Sequence, residues 1–113
     1  MSTPTVDGTA HFASLVTERE FSDAVVEYAR LRGWLVHRDP TWRATGADPG
    51  YPDLTLARNG RQIFAKLKLD KHGSRLSAAQ QAWLAALASV DSANVLVTVW
   101  RPSNWEQVIA VLR

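Results

Sequence analysis

The segment YPDLTLARNGRQIFAKLKL, residues 51–69, decides the fold of this chain. At its centre stands Asn59-Gly60, the strongest short sequence signal for a two-residue type I′ turn between antiparallel strands. The stretches on either side of the turn, DLTLAR and RQIFAKLKL, are rich in strand-forming and apolar residues. The segment is therefore predicted to be a β-hairpin whose register is set by its turn.

In this register, two residues of opposite charge face each other across the hairpin. If positions 59 and 60 form the turn, Arg58 faces Arg61 and, further along the strands, Asp53 faces Lys66. Directly opposed side chains have Cβ atoms about 4.5–5.5 Å apart. The sequence therefore predicts that a carboxylate and an ammonium lie side by side on the hairpin.

The second strand of the hairpin has one polar and one apolar face, because side chains alternate along a strand. Lys66, Lys68 and Asp70 share the polar face. The other face, predicted to point into the core, carries Ala65, Leu67 and Leu69.

A helix and a strand are predicted before the hairpin. Thr17 and Glu20 form a capping box, which starts a helix that Gly33 ends. A short strand follows at residues 34–37, and then a loop at 38–50 that is rich in Pro and Gly.

Two more helices and a strand are predicted after the hairpin. Ser77 opens a helix, and Ser103 with Glu106 caps a last helix. Between them, residues 95–100 form a strand that is apolar on both faces, as a buried central or parallel strand should be. The order α-β-β-β-α-β-α predicts an α/β fold, with a small mixed sheet flanked by helices.

The composition of the 113 residues favours one domain, at residues 17–113, after a disordered tail at residues 1–16. The absence of cysteine excludes disulfides and thiolate metal sites and fits an intracellular, cytoplasmic location. No apolar run approaches the roughly 20 residues of a membrane span, and no signal peptide is evident. A net charge of +2 and a pI near 9.4 permit nucleic-acid binding.

The helical periodicity adds two polar residues to the hairpin pair. Glu18 and Gln80 fall on the apolar stripes of their helices and are expected to point towards the sheet. Because an unpaired carboxylate is costly to bury, Glu18 should meet a cation or a metal. We expect these two residues to converge with Asp53, Lys66 and Lys68.

A set of motifs in this order resembles the VRR-NUC domain, a branch of the PD-(D/E)xK nuclease superfamily that is common in phages. The motifs are Glu18-x-x-Phe21, Gly33-Trp34, His37, Gly50-Tyr51-Pro52-Asp53-Leu54, Leu67-Lys68, Ser77-x-x-Gln80-x-x-Trp83-Leu84 and Val99-Trp100-Arg101-Pro102. The resemblance covers residues 17–112 and suggests a stand-alone, phage-type member with the restriction-endonuclease-like core.

The resemblance implies a metal-dependent DNA endonuclease. It places Mg²⁺ or Mn²⁺ between Asp53, an acid at position 66 and the carbonyl of Leu67. Lys68 would orient the attacking water or stabilise charge on the phosphate.

For the helical residues, the resemblance gives Glu18 a place on or beside the metal, and Gln80 a contact with Lys68 or the scissile strand. It also implies a homodimer, with branched DNA as a possible substrate.

Position 66 departs from the family pattern, because Lys66 stands where the family has Glu. An ammonium opposite Asp53 should repel a divalent cation. Three explanations remain: an inactivating substitution, natural or engineered; an acid supplied from elsewhere; or a domain that only binds. Asp70 shares the face of Lys66, but it lies about 6.6–6.8 Å along the strand and is a poor replacement.

Each site residue also has a plainer interpretation. In this interpretation Gln80 is half of a capping box, and Asp53 with Lys66 is an ordinary cross-strand ion pair. The alternative function is a catalytically silent nucleic-acid-binding or interaction module. The residues predicted to contact nucleic acid are His37, Arg38, Arg43, Lys71 and Arg75.

Under the plainer interpretation, Glu18 is a first-turn acid that interacts favourably with the helix dipole. Lys68 is then a solvated strand lysine, and His37 a structural or exposed residue at the end of a strand. Trp42, in the loop at 38–50, is suited equally to packing or to stacking on a base.

Overall fold

The computed structural model describes residues 16–39, 49–71 and 74–113. The predicted tail up to residue 15, Trp42 and Arg43 lie outside these ranges. Within them, the element order is the one predicted from the sequence, and the α/β fold with a mixed sheet is confirmed. The elements are α1 (Glu18–Leu31), β1 (Leu35–Arg38), β2 (Leu54–Arg58), β3 (Arg61–Leu67), α2 (Ala78–Ala88), β4 (Val95–Trp100), a 3₁₀ turn (Pro102–Asn104) and α3 (Trp105–Leu112).

The strands of the sheet lie in the order β1-β2-β3-β4. The first three are antiparallel to their neighbours, and β4 runs parallel to β3. The predicted hairpin register is confirmed, since Arg58 pairs with Arg61. Asn59 and Gly60 both have positive φ, at 50° and 79°, as a type I′ turn requires.

The hydrophobic core lies between one face of the sheet and the helices α1 and α3. Because pairing partners share a face, Leu54 with Ala65 and Leu56 with Ile63 line that face. All four are buried, together with residues of the two helices such as Val25. Asp53 and Lys66, one position further along, consequently belong to the opposite face.

The C-terminal end of α3 is tied to the sheet by Arg58. Its guanidinium donates hydrogen bonds to the carbonyls of Arg32, Leu112 and Arg113, and it lies 4.4 Å from the ring centroid of Trp34. The indole of Trp34 donates to the Leu112 carbonyl as well, at 2.9 Å. These bonds satisfy carbonyls that helix ends leave without partners.

The predicted caps of α1 and α2 are confirmed, and the predicted cap of α3 is wrong. Both capping boxes, at Thr17 and at Ser77, have their reciprocal hydrogen bonds. Ser103 instead lies inside the 3₁₀ turn, and its hydroxyl and amide both donate to the carboxylate of Asp70. Helix α3 begins two residues after Ser103, and its N-cap position is occupied by Asn104.

The strands differ in detail from their predicted form. Strand β1 begins and ends one residue later than predicted, because the amide of Trp34 donates to the Ala29 carbonyl at the end of α1. The hairpin strands are also shorter than predicted, since β2 begins at Leu54 and β3 ends at Leu67. Strand β4 has the predicted bounds and is parallel to β3, but it is an edge strand of the described sheet and is half-buried from Val95 to Val99. In the described ranges, none of the helices has both the length and the apolar character needed to cross a membrane.

Candidate functional site

Asp53 and Lys66 form an ion pair at the end of the hairpin. The ammonium of Lys66 lies 3.3 Å from Oδ2 and 3.4 Å from Oδ1 of Asp53. The side chain of Lys66 is 13% exposed and that of Asp53 32% exposed, so the pair is partly shielded from water. The predicted opposition of these two residues is confirmed.

The carboxylate of Asp53 is also held by the backbone. The amide of Leu67 donates a hydrogen bond to Oδ2 at 2.7 Å. Asp53 stands just before β2 and Leu67 ends β3, so this bond closes the hairpin beyond its last ladder pair. A charge-assisted bond of this length fixes the carboxylate against the strand.

The loop before Asp53 packs against the first turn of α2. Gly50 has φ of +88°, and a Cβ at this position would lie 2.4 Å from the carbonyl carbon of Ala79 and 2.6 Å from the amide nitrogen of Gln80. The rings of Tyr51 and Trp83 pack edge to face, with centroids 4.9 Å apart. The position of Asp53 therefore depends on α2 as well as on the hairpin.

Asp39 is a site residue that the sequence did not identify. Its amide donates to the carbonyl of Asp53 at 2.8 Å, which continues the β1–β2 pairing one step past Arg38 and Leu54. Oδ2 of Asp39 is buried and has no hydrogen-bond partner among the residues that the structure describes. The loop at 38–50 left the register of β1 open, so nothing in the sequence could oppose Asp39 to Asp53.

Glu18 does not point into the sheet as expected. It is the first residue of α1 and is exposed, whereas Phe21, Val25 and Ala29 on the same stripe are buried. The helical period gives the direction of a side chain around the axis, but not whether the core extends as far along the axis. Glu18 lies beyond the end of the core.

Gln80 and Lys68 make hydrogen bonds within a helix cap and within the sheet, respectively. Gln80 is half-buried, and its Oε1 accepts a hydrogen bond from the Ser77 amide at 2.8 Å, so it completes the capping box. Lys68 is half-buried, and its amide donates a hydrogen bond to the Trp100 carbonyl, which extends the β3–β4 ladder. Alternation along the strand puts Lys68 on the face of Lys66.

The predicted nucleic-acid contacts are spread over several elements. His37 is exposed on β1 and, by alternation, shares the face of Asp39. Arg38 faces the other way and pairs with Asp23 of α1 at 2.8 Å. Lys71 and Arg75 are exposed after β3, while Arg43 lies outside the described residues.

The donor set at the site suits a hard divalent cation in part. Carboxylate oxygens are the ligands such cations prefer, and Asp39 contributes one that is buried and unpaired beside Asp53. Across the ranges 16–39, 49–71 and 74–113, no three His, Asp or Glu side chains are grouped so as to hold a metal. The carboxylates of Asp39 and Asp53 suit a divalent cation. The ammonium of Lys66, beside Asp53, disfavours the binding of that cation.

A comparison with solved structures finds the same fold in a "VRR_NUC domain protein". The TM-score is 0.61 at 22% sequence identity, and the match covers 86% of this chain and 85% of the other. At this identity the likeness shows the fold, and it agrees with the VRR-NUC resemblance of the sequence motifs. No protein-family model matches the sequence, and neither does any curated protein.

Proposed function

We propose that this chain is a VRR-NUC-type DNA endonuclease domain, dependent on Mg²⁺ or Mn²⁺, whose hydrolytic activity is suppressed by Lys66. The fold of the VRR_NUC domain protein supports a nuclease-like domain. The observation that carries the suppression is the ammonium of Lys66, 3.3 Å from the main acid of the site, Asp53.

The charge of Lys66 is large enough to decide whether a metal binds. Two unit charges 4 Å apart interact by about 4 kcal/mol at the effective dielectric of a protein surface, and each 1.4 kcal/mol is about tenfold in affinity. The side chain of Lys66 is only 13% exposed, so water screens it weakly. Glu at position 66 would reverse the sign of this interaction.

In this proposal each side chain has a separate role. Asp53 holds the cation, with its carboxylate positioned by the Leu67 amide. Lys68 donates to the phosphate oxygens, where negative charge develops during hydrolysis. When bound, a divalent cation would supply Lewis-acid polarisation of the phosphate and a more acidic water.

The test is reversion of Lys66→Glu. The variant should cleave plasmid and four-way-junction DNA in Mn²⁺ or Mg²⁺ at least about 100-fold faster than the parent chain, because the second carboxylate reverses the repulsion. Cleavage products are measured on gels over time. Arg61→Glu is the matched control: it makes the same charge change at the exposed other end of β3 and should not produce cleavage.

A revertant that folds, yet binds no metal and cuts neither DNA, would exclude the endonuclease proposal. The alternative is a silent nucleic-acid-binding module, which the Asp53–Lys66 ion pair itself favours. Titration of labelled DNA without metal at several salt concentrations separates the two. Salt-sensitive binding combined with an inactive revertant supports the module, since phosphate contacts release counterions.

The proposal extends to a homodimer that acts on branched DNA in the cytoplasm. A domain of this size has little surface with which to hold two duplex arms, and a second copy would double it. Light scattering after gel filtration measures the mass in solution. A monomer at micromolar concentration, with and without junction DNA, would exclude the dimer.

A further inference from the structure

Asp39 and Asp53 are direct neighbours across β1 and β2. The Asp39 amide donates to the Asp53 carbonyl at 2.8 Å, and the preceding pair in the same ladder is Arg38 with Leu54. Directly opposed residues of antiparallel strands project their side chains from the same face. Asp39, Asp53 and Lys66 therefore form one row across three neighbouring strands.

The carboxylate of Asp39 is short of a partner. Oδ2 is buried and accepts no hydrogen bond, although a buried carboxylate oxygen without a donor is unfavourable. Both oxygens of Asp53, in contrast, lie close to Lys66, and one also accepts the Leu67 amide. A cation next to Asp53 would supply the interaction that Asp39 lacks.

The other acids near the site are engaged or distant. Both oxygens of Asp70 accept hydrogen bonds from Ser103, at 2.6 and 3.0 Å. Glu18 is exposed at the start of α1, on the side of the sheet that carries the core. Of the acids within 16–39, 49–71 and 74–113, Asp39 is consequently the one best placed to act together with Asp53.

We propose that Asp39 is the second acidic ligand of the divalent cation that this site takes once the ammonium of Lys66 is removed, and that it then fills part of the role that Glu at position 66 has in the family pattern. This inference rests on the proposed function. In the parent chain, Lys66 supplies the positive charge in the row of three residues. Removing its ammonium leaves Asp39 and Asp53 as a pair of carboxylates without a cation.

The experiment measures Mn²⁺ binding to the folded protein by calorimetry and by electron paramagnetic resonance. Lys66→Met removes the charge and keeps an unbranched side chain. This variant should bind Mn²⁺ at least about tenfold more tightly than the parent chain, and adding Asp39→Asn should remove that gain. Circular dichroism and thermal unfolding establish that each variant is folded.

The matched control is Glu27→Gln in the Lys66→Met background. It removes one negative charge from an exposed position on α1 and should leave the Mn²⁺ affinity within about twofold. A second readout is paramagnetic broadening of amide signals in the Lys66→Met variant. Broadening centred on Asp39 and Asp53 supports the inference, and broadening elsewhere contradicts it.

Two results would overturn the inference. One is a Lys66→Met variant that binds no Mn²⁺, and the other is an unchanged affinity when Asp39→Asn is added. Its failure is distinguishable from failure of the proposed function. If Lys66→Glu cleaves DNA while Asp39→Asn in that background leaves Mn²⁺ affinity unchanged, the endonuclease stands and Asp39 is not a ligand.

Discussion

Gly50 is the residue on which the position of Asp53 depends most directly. Its φ of +88° disfavours any side chain, and the space that a Cβ would need is filled by the backbone of Ala79 and Gln80. The glycine thus allows the loop to approach α2 closely, three residues before the acid of the site.

Gly50→Ala should lower the free energy of unfolding by at least about 2 kcal/mol, because left-handed strain and a backbone overlap add together. Gly60→Ala is the control: φ is +79° there too, but nothing lies within 4 Å of the added Cβ, so only strain of about 1–2 kcal/mol applies. Urea denaturation measures both. Equal losses would contradict the close contact at Gly50.

Asp39→Asn in the parent chain should raise the free energy of unfolding by about 1 kcal/mol. The substitution removes a charge whose Oδ2 is buried without a partner, and functional residues commonly reduce stability in this way. Urea denaturation with Asp23→Asn as control measures the effect. If Asp39→Asn lost as much stability as the control, the charged carboxylate of Asp39 would not be unfavourable in the folded state, and the prediction would be wrong.

At this scale, the sequence predicted the pair of Asp53 and Lys66 because a two-residue turn fixes every partner in a hairpin. It did not predict Asp39, whose partner is set across a long loop. It misplaced Glu18, because helical periodicity carries no information about where the core ends along the axis.

Among the elements, α3 is joined to the hairpin by a side chain of β2, Arg58. Arg58 binds the carbonyls at the end of α3 and the Arg32 carbonyl after α1, and its guanidinium covers the ring of Trp34. One residue of the hairpin thereby joins both helices of the core side to the sheet.

Arg58→Ala should lower the free energy of unfolding by about 1.5–3 kcal/mol, the magnitude typical of hydrogen bonds made by a charged group. Arg58→Lys should recover only part of it, because an ammonium cannot reproduce the planar fork. Its hairpin partner Arg61 is exposed, so Arg61→Ala should change stability by less than about 0.5 kcal/mol. Chemical denaturation measures these changes. Equal losses of stability in Arg58→Ala and Arg61→Ala would contradict the role of Arg58 in joining the helices to the sheet.

The elements themselves could be predicted well where a local signal acts alone. The capping boxes at Thr17 and Ser77 depend on residues three apart, and both are present. The cap predicted at Ser103 was wrong because a 3₁₀ turn at Pro102–Asn104 comes before α3 and moves its N-cap to Asn104. The spacing of two residues does not show whether the first turn is α-helical or 3₁₀.

For the whole molecule, the order of elements was enough to predict the fold, since the connections leave few ways to arrange four short strands. The hydropathy of β4 predicted a buried central or parallel strand, and in the structure the strand is parallel to β3 and lies at an edge of the described sheet. Apolar residues on both faces show that a strand is covered by other elements, but not that it has two neighbouring strands.

Stability of the whole domain should become linked to metal only when Lys66 is replaced by Glu. Without metal, Lys66→Glu should lower the free energy of unfolding by about 1–2 kcal/mol, because like charges replace an ion pair. Saturation with Mn²⁺ at about 100 times the dissociation constant should restore about 2.7 kcal/mol. Calorimetric midpoints measured with and without Mn²⁺ should differ for the variant and not for the parent; equal shifts in both would contradict the prediction.

The amide of Leu67 anchors Asp53 independently of the side chain at position 66. It holds the carboxylate of Asp53 from the backbone, so no side-chain substitution at position 66 removes it. With Asp53 anchored, Lys66 acts as a counter-ion that is covalently attached to the chain. A chelator cannot extract such a counter-ion, and a change in metal supply cannot dilute it. We therefore expect the folded state of the parent chain to be indifferent to the divalent cations around it.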